Sequence, residues 1–254
     1  MIVHVLNGKI SFFASLRIVY AGFFYNNFLP GGAGGDIVKL YYLKKIGLSY
    51  AELSSGLLLD RILGMGALAV LTIISVAFSF FFTDYTLANN ASFFNAEFIV
   101  TAGVPLVLLC CLLLLRFERI FQGAARFMEK ILFKQAVHAF FGGFQLLVSR
   151  RRTLATNLIL GIIGHLAAVL GVSLISTSIA AGQIGTAGEE HIFAASMFLS
   201  PFVFIASMIP VLPGNIGWTE AIAEFFWRSF GMSGGLAAFA VWRGACVIVT
   251  LGGG

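Results

Sequence analysis

The residues suited to chemistry are a few charges set beside glycines inside apolar sequence. Residues 26–40 read NNFLPGGAGGDIVKL, so Asp36 and Lys39 stand three apart, on one face of a shared helix. Asp60 and Arg61 adjoin in the next apolar run, and Glu220, Glu224 and Arg228 recur at four-residue intervals before Arg243. Charges inside a membrane-spanning chain are costly, which makes them functional candidates. Carboxylates and cations in this pattern suit the holding of a charged headgroup. They equally suit ion pairs that only shape the fold, and Asp60 and Arg61 can simply mark the water boundary, with Arg61 snorkelling.

The glycines bear on the same question. Pro30 lacks an N–H and ends the preceding helix, and Gly31, Gly34 and Gly35 permit tight turns and close backbone approach. The N–H groups that open the following helix suit an anion such as a lipid phosphate. Asp36 sits at that helix start and competes with an anion, with Lys39 as its partner. A capped interfacial helix without ligand is the alternative. The glycine run is no phosphate-binding P-loop, because no Gly-Lys-Ser/Thr follows. No nucleophile motif stands out, and no cofactor is expected. His165 stands alone as a packing residue rather than a metal ligand. Cys110, Cys111 and Cys246 lie in apolar runs and read as small packing residues.

These residues must be positioned by membrane helices. Of 254 residues, 59% are hydrophobic and 11% charged, with a mean hydropathy of +0.96. A soluble domain needs more polar surface. Several charge-free runs exceed the ~18 residues that cross a bilayer as a helix, and they lack the two-residue alternation of a membrane barrel. The expected fold is therefore all-α: a polytopic transmembrane helical bundle of about six segments, near 12–29, 51–82, 98–115, 153–180, 191–211 and 234–251, forming one integral membrane domain over 1–254. The net charge of +5 is read as a topology signal, not as a nucleic-acid footprint. Residues 116–152 carry eight Lys/Arg against Glu118 and Glu129, whereas 83–97 and 181–190 carry acids and no base. The positive-inside rule puts 116–152 in the cytoplasm, as helices lying on anionic headgroups, and the acidic loops outside. On this path 12–29 runs inward and 51–82 returns outward. A plasma (inner) membrane location is expected, with no cleavable signal peptide evident.

An internal repeat is legible. Residues 29–34 read LPGGAG and 212–217 read LPGNIG, matching Pro30, Gly31 and Gly34 to Pro213, Gly214 and Gly217. Each motif precedes a short amphipathic stretch closed by Gly47 or Gly231, then an apolar run bearing Arg61 or Arg243. The units cover about 12–82 and 191–254, and on the expected topology they run in the same direction, as parallel repeats. Paired helix breaks point to a transporter's binding site, because broken backbone at membrane depth must be buried by protein or line a wet cavity. Glu224 with Arg228 is a plausible helix pair. Glu220 then needs another partner, for which Arg243 and Arg61 are the candidates.

The stretch GFFYNNFLPGGAGGDIVKLYYLKKIGLS, followed by LLLDRILGMGALAV, resembles the lysylphosphatidylglycerol synthase transmembrane region family, also called flippase-like or UPF0104 proteins. The resemblance rests on Asn27, Leu29, Pro30, Gly34, Gly35, Asp36, Lys39, Asp60 and Arg61, and on Pro213, Gly217, Glu220 and Arg243 in the second motif. Lys39 stands where the family usually has arginine, which keeps the charge but loses the bidentate fork. Beside the family the chain looks shortened at both ends.

The resemblance implies translocation of a modified anionic phospholipid between leaflets. No aminoacyl-transferase domain follows, so synthase activity is not expected. The site it implies comprises Asn27, Gly34, Gly35, Asp36, Lys39, Asp60, Arg61, Gly217, Glu220 and Arg243, with Pro30, Gly31, Pro213 and Gly214 as structural breaks. Membrane lipids are the expected partners, with a lipid- or glycan-synthesis enzyme as a further one. The alternatives are a non-transporting accessory protein of lipid or glycan-lipid synthesis, and a membrane-embedded transferase using Glu220 and Asp36.

Overall fold

The computed structural model describes residues 10–28, 34–45, 47, 49–82, 134–181, 189–208 and 212–251. The expected span 98–115, the acidic loop 83–97, the basic stretch 116–133, most of 181–190, and Leu29, Pro30 and Gly31 lie outside these residues. Among the described residues there are eight α-helices and no strand: α1 (Phe12–Phe28), α2 (Gly34–Lys44), α3 (Tyr50–Phe82), α4 (Lys134–Ser149), α5 (Arg151–Ala181), α6 (Glu189–Ala206), α7 (Trp218–Ser229) and α8 (Gly235–Leu251). A 3₁₀ turn, Pro213–Asn215, stands between α6 and α7.

Among the described residues two helices are long and apolar enough to span a bilayer, over Tyr50–Ser75 and Arg151–Ala180, with Ile192–Ala206 and Gly235–Leu251 as shorter apolar helices. Only 33% and 17% of the apolar windows in the two long helices are buried. Their outward faces are thus apolar as well, which suits lipid and not the core of a soluble protein. α3 opens with a capping box: the Glu52 N–H donates to Ser49 Oγ (3.2 Å), and the Ser49 N–H donates to Glu52 Oε2 (2.9 Å).

Among the described residues two cores hold the bundle. Leu43 of α2, Leu53 and Leu59 of α3 and Phe144 of α4 form one, with Ile18 of α1 and Leu154 of α5 packed against it. Val172, Leu199, Phe202, Val203, Ala223, Phe226, Trp227 and Phe239 form the other, joining α5, α6, α7 and α8.

The contacts fix helix directions. Early in α2, Gly35 lies against Gly22 and Asn26 of α1, whereas late in α2, Leu40 and Leu43 share a cluster with Ile18. α2 therefore runs back along α1. α3 reverses again, because Lys44 lies 4.4 Å from the Tyr50 ring centroid at one end while Arg61 reaches Asp36 at the other. α1 and α3 consequently run the same way. The second unit repeats the pattern. Trp218 bonds the Ala206 carbonyl and Phe230 meets Phe198, so α7 runs back along α6. α8 then reverses against α7, pairing Glu224 with Leu236 and Glu220 with Arg243.

α5 shares the direction of α3: Leu154 packs against the cluster of Leu53 and Leu59, and further along both helices Gly161 meets Ala67. α8 opposes α5, since Gly234 meets Ile179 and Gly171 meets Trp242. The two units therefore run in opposite directions. This corrects the expectation of parallel repeats and of opposed first and second segments. The reason is the short return helices: α2 has 11 residues and α7 has 12, about 16–18 Å. Each carries the chain back without being long enough to read as a crossing.

Candidate functional site

The first cluster is built where α2 leaves the break. Gly35 and Gly22 let the two helix backbones touch: a Cβ on Gly35 would collide with the Gly22 carbonyl, and one on Gly22 would lie 2.8 Å from Lys39 Cε. Asn26 Oδ1 accepts the Gly35 N–H at 3.3 Å, so this donor at the helix start is already occupied. The sequence reading favoured Asn27, whose side chain lies outside the described residues. Nothing in NN distinguishes the two, and only the helix phase set by α1 turns Asn26 toward α2.

Asp36 gathers two cations. Its Oδ2 accepts from Arg61 Nε at 2.7 Å and lies 2.5 Å from Arg61 Nη2. Its Oδ1 is 3.7 Å from Lys39 Nζ. The main partner of Asp36 is thus Arg61 of its own unit, with Lys39 second. Lys39 also lies 5.7 Å from the Phe23 ring centroid. Asp60 is exposed and within electrostatic reach of Lys39, Asp36 and Arg61, so two acids face two bases. Gly34 is buried at the start of α2.

The second cluster is more closed. Gly214, Asn215 and Gly217 have φ of 59°, 53° and 83°, the left-handed region that lets the chain turn between α6 and α7. Glu220 Oε2 accepts the Gly217 N–H at 2.8 Å, and Glu220 Oε1 accepts from Arg243 Nε at 2.6 Å. Arg243 also donates to the Gly214 carbonyl at 2.5 Å and to the Asn215 carbonyl at 3.1 Å. One guanidinium thereby ties together the acid and two turn carbonyls. Glu220 is 7% exposed, and a carboxylate this buried is stable only when paired. Of its two candidate partners, the structure brings it Arg243.

Glu224 accepts from Arg228 Nε at 2.8 Å and from the Leu236 N–H at 3.1 Å, locking the α7–α8 corner. The Arg228 hydrogen bond, aided by backbone N–H groups of Leu236 and Gly234, holds its carboxyl below the ordinary glutamate value. His165, taken as a packing residue, faces the backbone of Gly64 across the α3–α5 contact.

Depth matters for what the clusters can do. Arg61 lies about 16 Å along α3 from Tyr50, and Arg243 about 12 Å along α8 from Gly235. Both arginines thus stand two to three turns inside their helices, and not at a helix end. α1 packs against α2, and also against the 3₁₀ turn and α8, so one helix touches both clusters. Gly22, Asn26 and Asn215 are the site residues sequence reasoning missed. A small residue about two turns before the break is the signal that could have found Gly22.

The family described as lysylphosphatidylglycerol synthase TM region matches residues 1–254, the whole chain. A UPF0104 membrane protein from Pyrococcus horikoshii is 24% identical, over 91% of this chain and 71% of its own. No solved structure matches.

Proposed function

Since the chain belongs to the lysylphosphatidylglycerol synthase TM region family, we propose that it binds an anionic or modified phospholipid by its headgroup and moves it between leaflets, making and breaking no covalent bond. The observation that carries this reading is an acid–arginine pair beside each helix break, in two units of opposite direction joined by α1, which packs against both. Opposed repeats meeting at the midplane are the arrangement by which secondary transporters alternate access.

The first cluster is the headgroup site in this proposal. Arg61 is half exposed, at 53%, and its fork matches a phosphate. Asp36 retains Lys39 when Arg61 turns to a lipid phosphate, so the exchange strands no bare carboxylate. An ammonium on a modified headgroup finds Asp36 or Asp60. The second cluster is the stiffer one, with Arg243 and Glu220 fixing the turn against which the first unit moves. By the positive-inside rule the end bearing Lys44, Lys45 and Arg150–Arg152 faces the cytoplasm, in the plasma membrane.

The test is movement of headgroup-labelled phosphatidylglycerol in proteoliposomes, with the parent, Arg61→Ala and Glu220→Ala compared. The parent moves lipid and both variants are impaired. Unchanged movement in both variants overturns the site. A folded parent that moves none favours the accessory role in lipid or glycan-lipid synthesis.

A further inference from the structure

The end of the bundle where α2 stops and α3 and α5 start carries a second, different set of cations. Leu43, Leu53, Phe144 and Leu154 converge there in or against one core cluster. That convergence brings Lys44 and Lys45, at the close of α2, to the same end as Arg150, Arg151 and Arg152, at the α4–α5 junction. All five are exposed, although a hundred residues of sequence separate the two groups.

Aromatic rings stand among the lysines. Lys44 Nζ is 4.4 Å from the Tyr50 ring centroid, and Lys45 Nζ is 4.7 Å from that of Tyr41 and 5.5 Å from that of Tyr42. The three tyrosines are 53%, 57% and 43% exposed. Helical phase puts Tyr41 and Lys45 on the side of α2 away from Asp36, Lys39 and Leu43, with Tyr42 between the two sides at the end of the helix, so most of this surface is separate from the Asp36 cluster. Glu52, the acid in the first turn of α3, is committed to the N–H and hydroxyl of Ser49 and does not neutralise the five cations.

We propose that Tyr41, Tyr42, Tyr50, Lys44, Lys45 and Arg150–Arg152 form a single collar that binds anionic phospholipid headgroups of the leaflet at this end. The chemistry selects that occupant. Tyrosine is at home where ring meets hydrocarbon and hydroxyl meets water. Cation–π contact orders the flexible lysines while leaving their N–H donors for phosphate oxygens. Basic side chains beside membrane helices attract anionic lipid surfaces by about 1 kcal/mol each at the surface. Burial of the apolar face of α2 by α1 and α3 holds the basic face at the rim. The proposal rests on the membrane reading of the fold and not on lipid movement.

The experiment counts lipids retained by the purified full chain in native mass spectrometry, after exchange from nanodiscs of mixed phosphatidylglycerol and phosphatidylcholine. The parent retains phosphatidylglycerol in preference to phosphatidylcholine. Lys44→Gln with Lys45→Gln, and separately the triple Arg150→Gln, Arg151→Gln, Arg152→Gln, each lower that preference by about five-fold or more. Lys44→Arg with Lys45→Arg restores it, which separates charge from folding. Arg228→Gln, on an exposed cation at the end of α7, leaves it at the parental level. No preference in the parent, parental preference in both glutamine variants, or an equal loss in Arg228→Gln overturns the collar. Retained phosphatidylglycerol in a chain that moves no lipid sinks the transport reading and leaves the collar standing.

Discussion

Arg243 of α8 donates to Glu220 of α7 at 2.6 Å across 23 residues of sequence, and the same guanidinium holds the carbonyls of Gly214 and Asn215. The acid in turn takes the N–H of Gly217. Removing either partner therefore opens the turn as well as the pair. Glu220→Ala leaves the guanidinium without its acid and a turn N–H without an acceptor, and about 3 kcal/mol of stability is expected to be lost. Arg243→Met on that background costs much less than it does alone. Thermal unfolding of the four members of the cycle in detergent checks this; additive losses would show that the two side chains do not act together.

Close approach of α1 and α2 makes a second prediction. A methyl group on Gly35 meets the backbone of Gly22, which cannot swing aside as a side chain can. Gly35→Ala is expected to cost about 1–3 kcal/mol by overpacking. Gly22→Ala meets chiefly the Lys39 stem, a flexible neighbour, so it costs less and is partly relieved by Lys39→Ala. Gly64→Ala, where nothing lies within 4 Å, is the control. Unfolding midpoints ranked in any other order contradict the packing argument.

Much of this architecture was legible because burial in lipid writes itself into sequence. Residues 51–82, 153–180 and 234–251 fall within a few residues of α3, α5 and α8, since a charge-free run of that length has few alternatives to a helix. The Glu224–Arg228 pair followed from four-residue spacing. Direction was not legible. Loop charges report which side a loop lies on, but a return helix of 11 or 12 residues leaves no hydropathy signature of a reversal. Asn26 was hidden for a related reason: its role depends on the angle at which α2 crosses α1, and that angle is set by Gly22 and Gly35 together. The Leu236 N–H that Glu224 caps lies 12 residues away, beyond any helical period.

Glu224 gives a pH prediction. Its carboxyl is held below the ordinary value of 4.5, chiefly by Arg228. The unfolded chain thus binds this proton more readily than the folded chain, and stability rises with pH through that range. The contribution is complete above about pH 5 and is lost as pH falls below 4.5 through the folded-state value. Glu224→Gln should therefore be less stable than the parent at pH 6, with the gap closing toward pH 3.5. A gap that stays constant across this window assigns no titrating role to Glu224.

Asp36 and Arg61 permit the sharpest separation of structure from function. The pair is partly exposed, with Arg61 53% exposed and Asp36 22%, so its stabilising worth is discounted to about 1 kcal/mol. Asp36→Lys alone sets two cations against Arg61, and Arg61→Glu alone sets acid against acid, so both singles are destabilised. The double exchange restores an ion pair across the same gap and is expected to recover most of the lost stability. Lipid movement should not recover with it. In the exchanged protein the carboxylate stands on α3 beside Asp60, and the cation stands on α2 beside Lys39, so a phosphate approaching α3 meets two acids. Recovery of both stability and phosphatidylglycerol movement would show that the pair serves as a brace; recovery of stability alone assigns Arg61 to the headgroup.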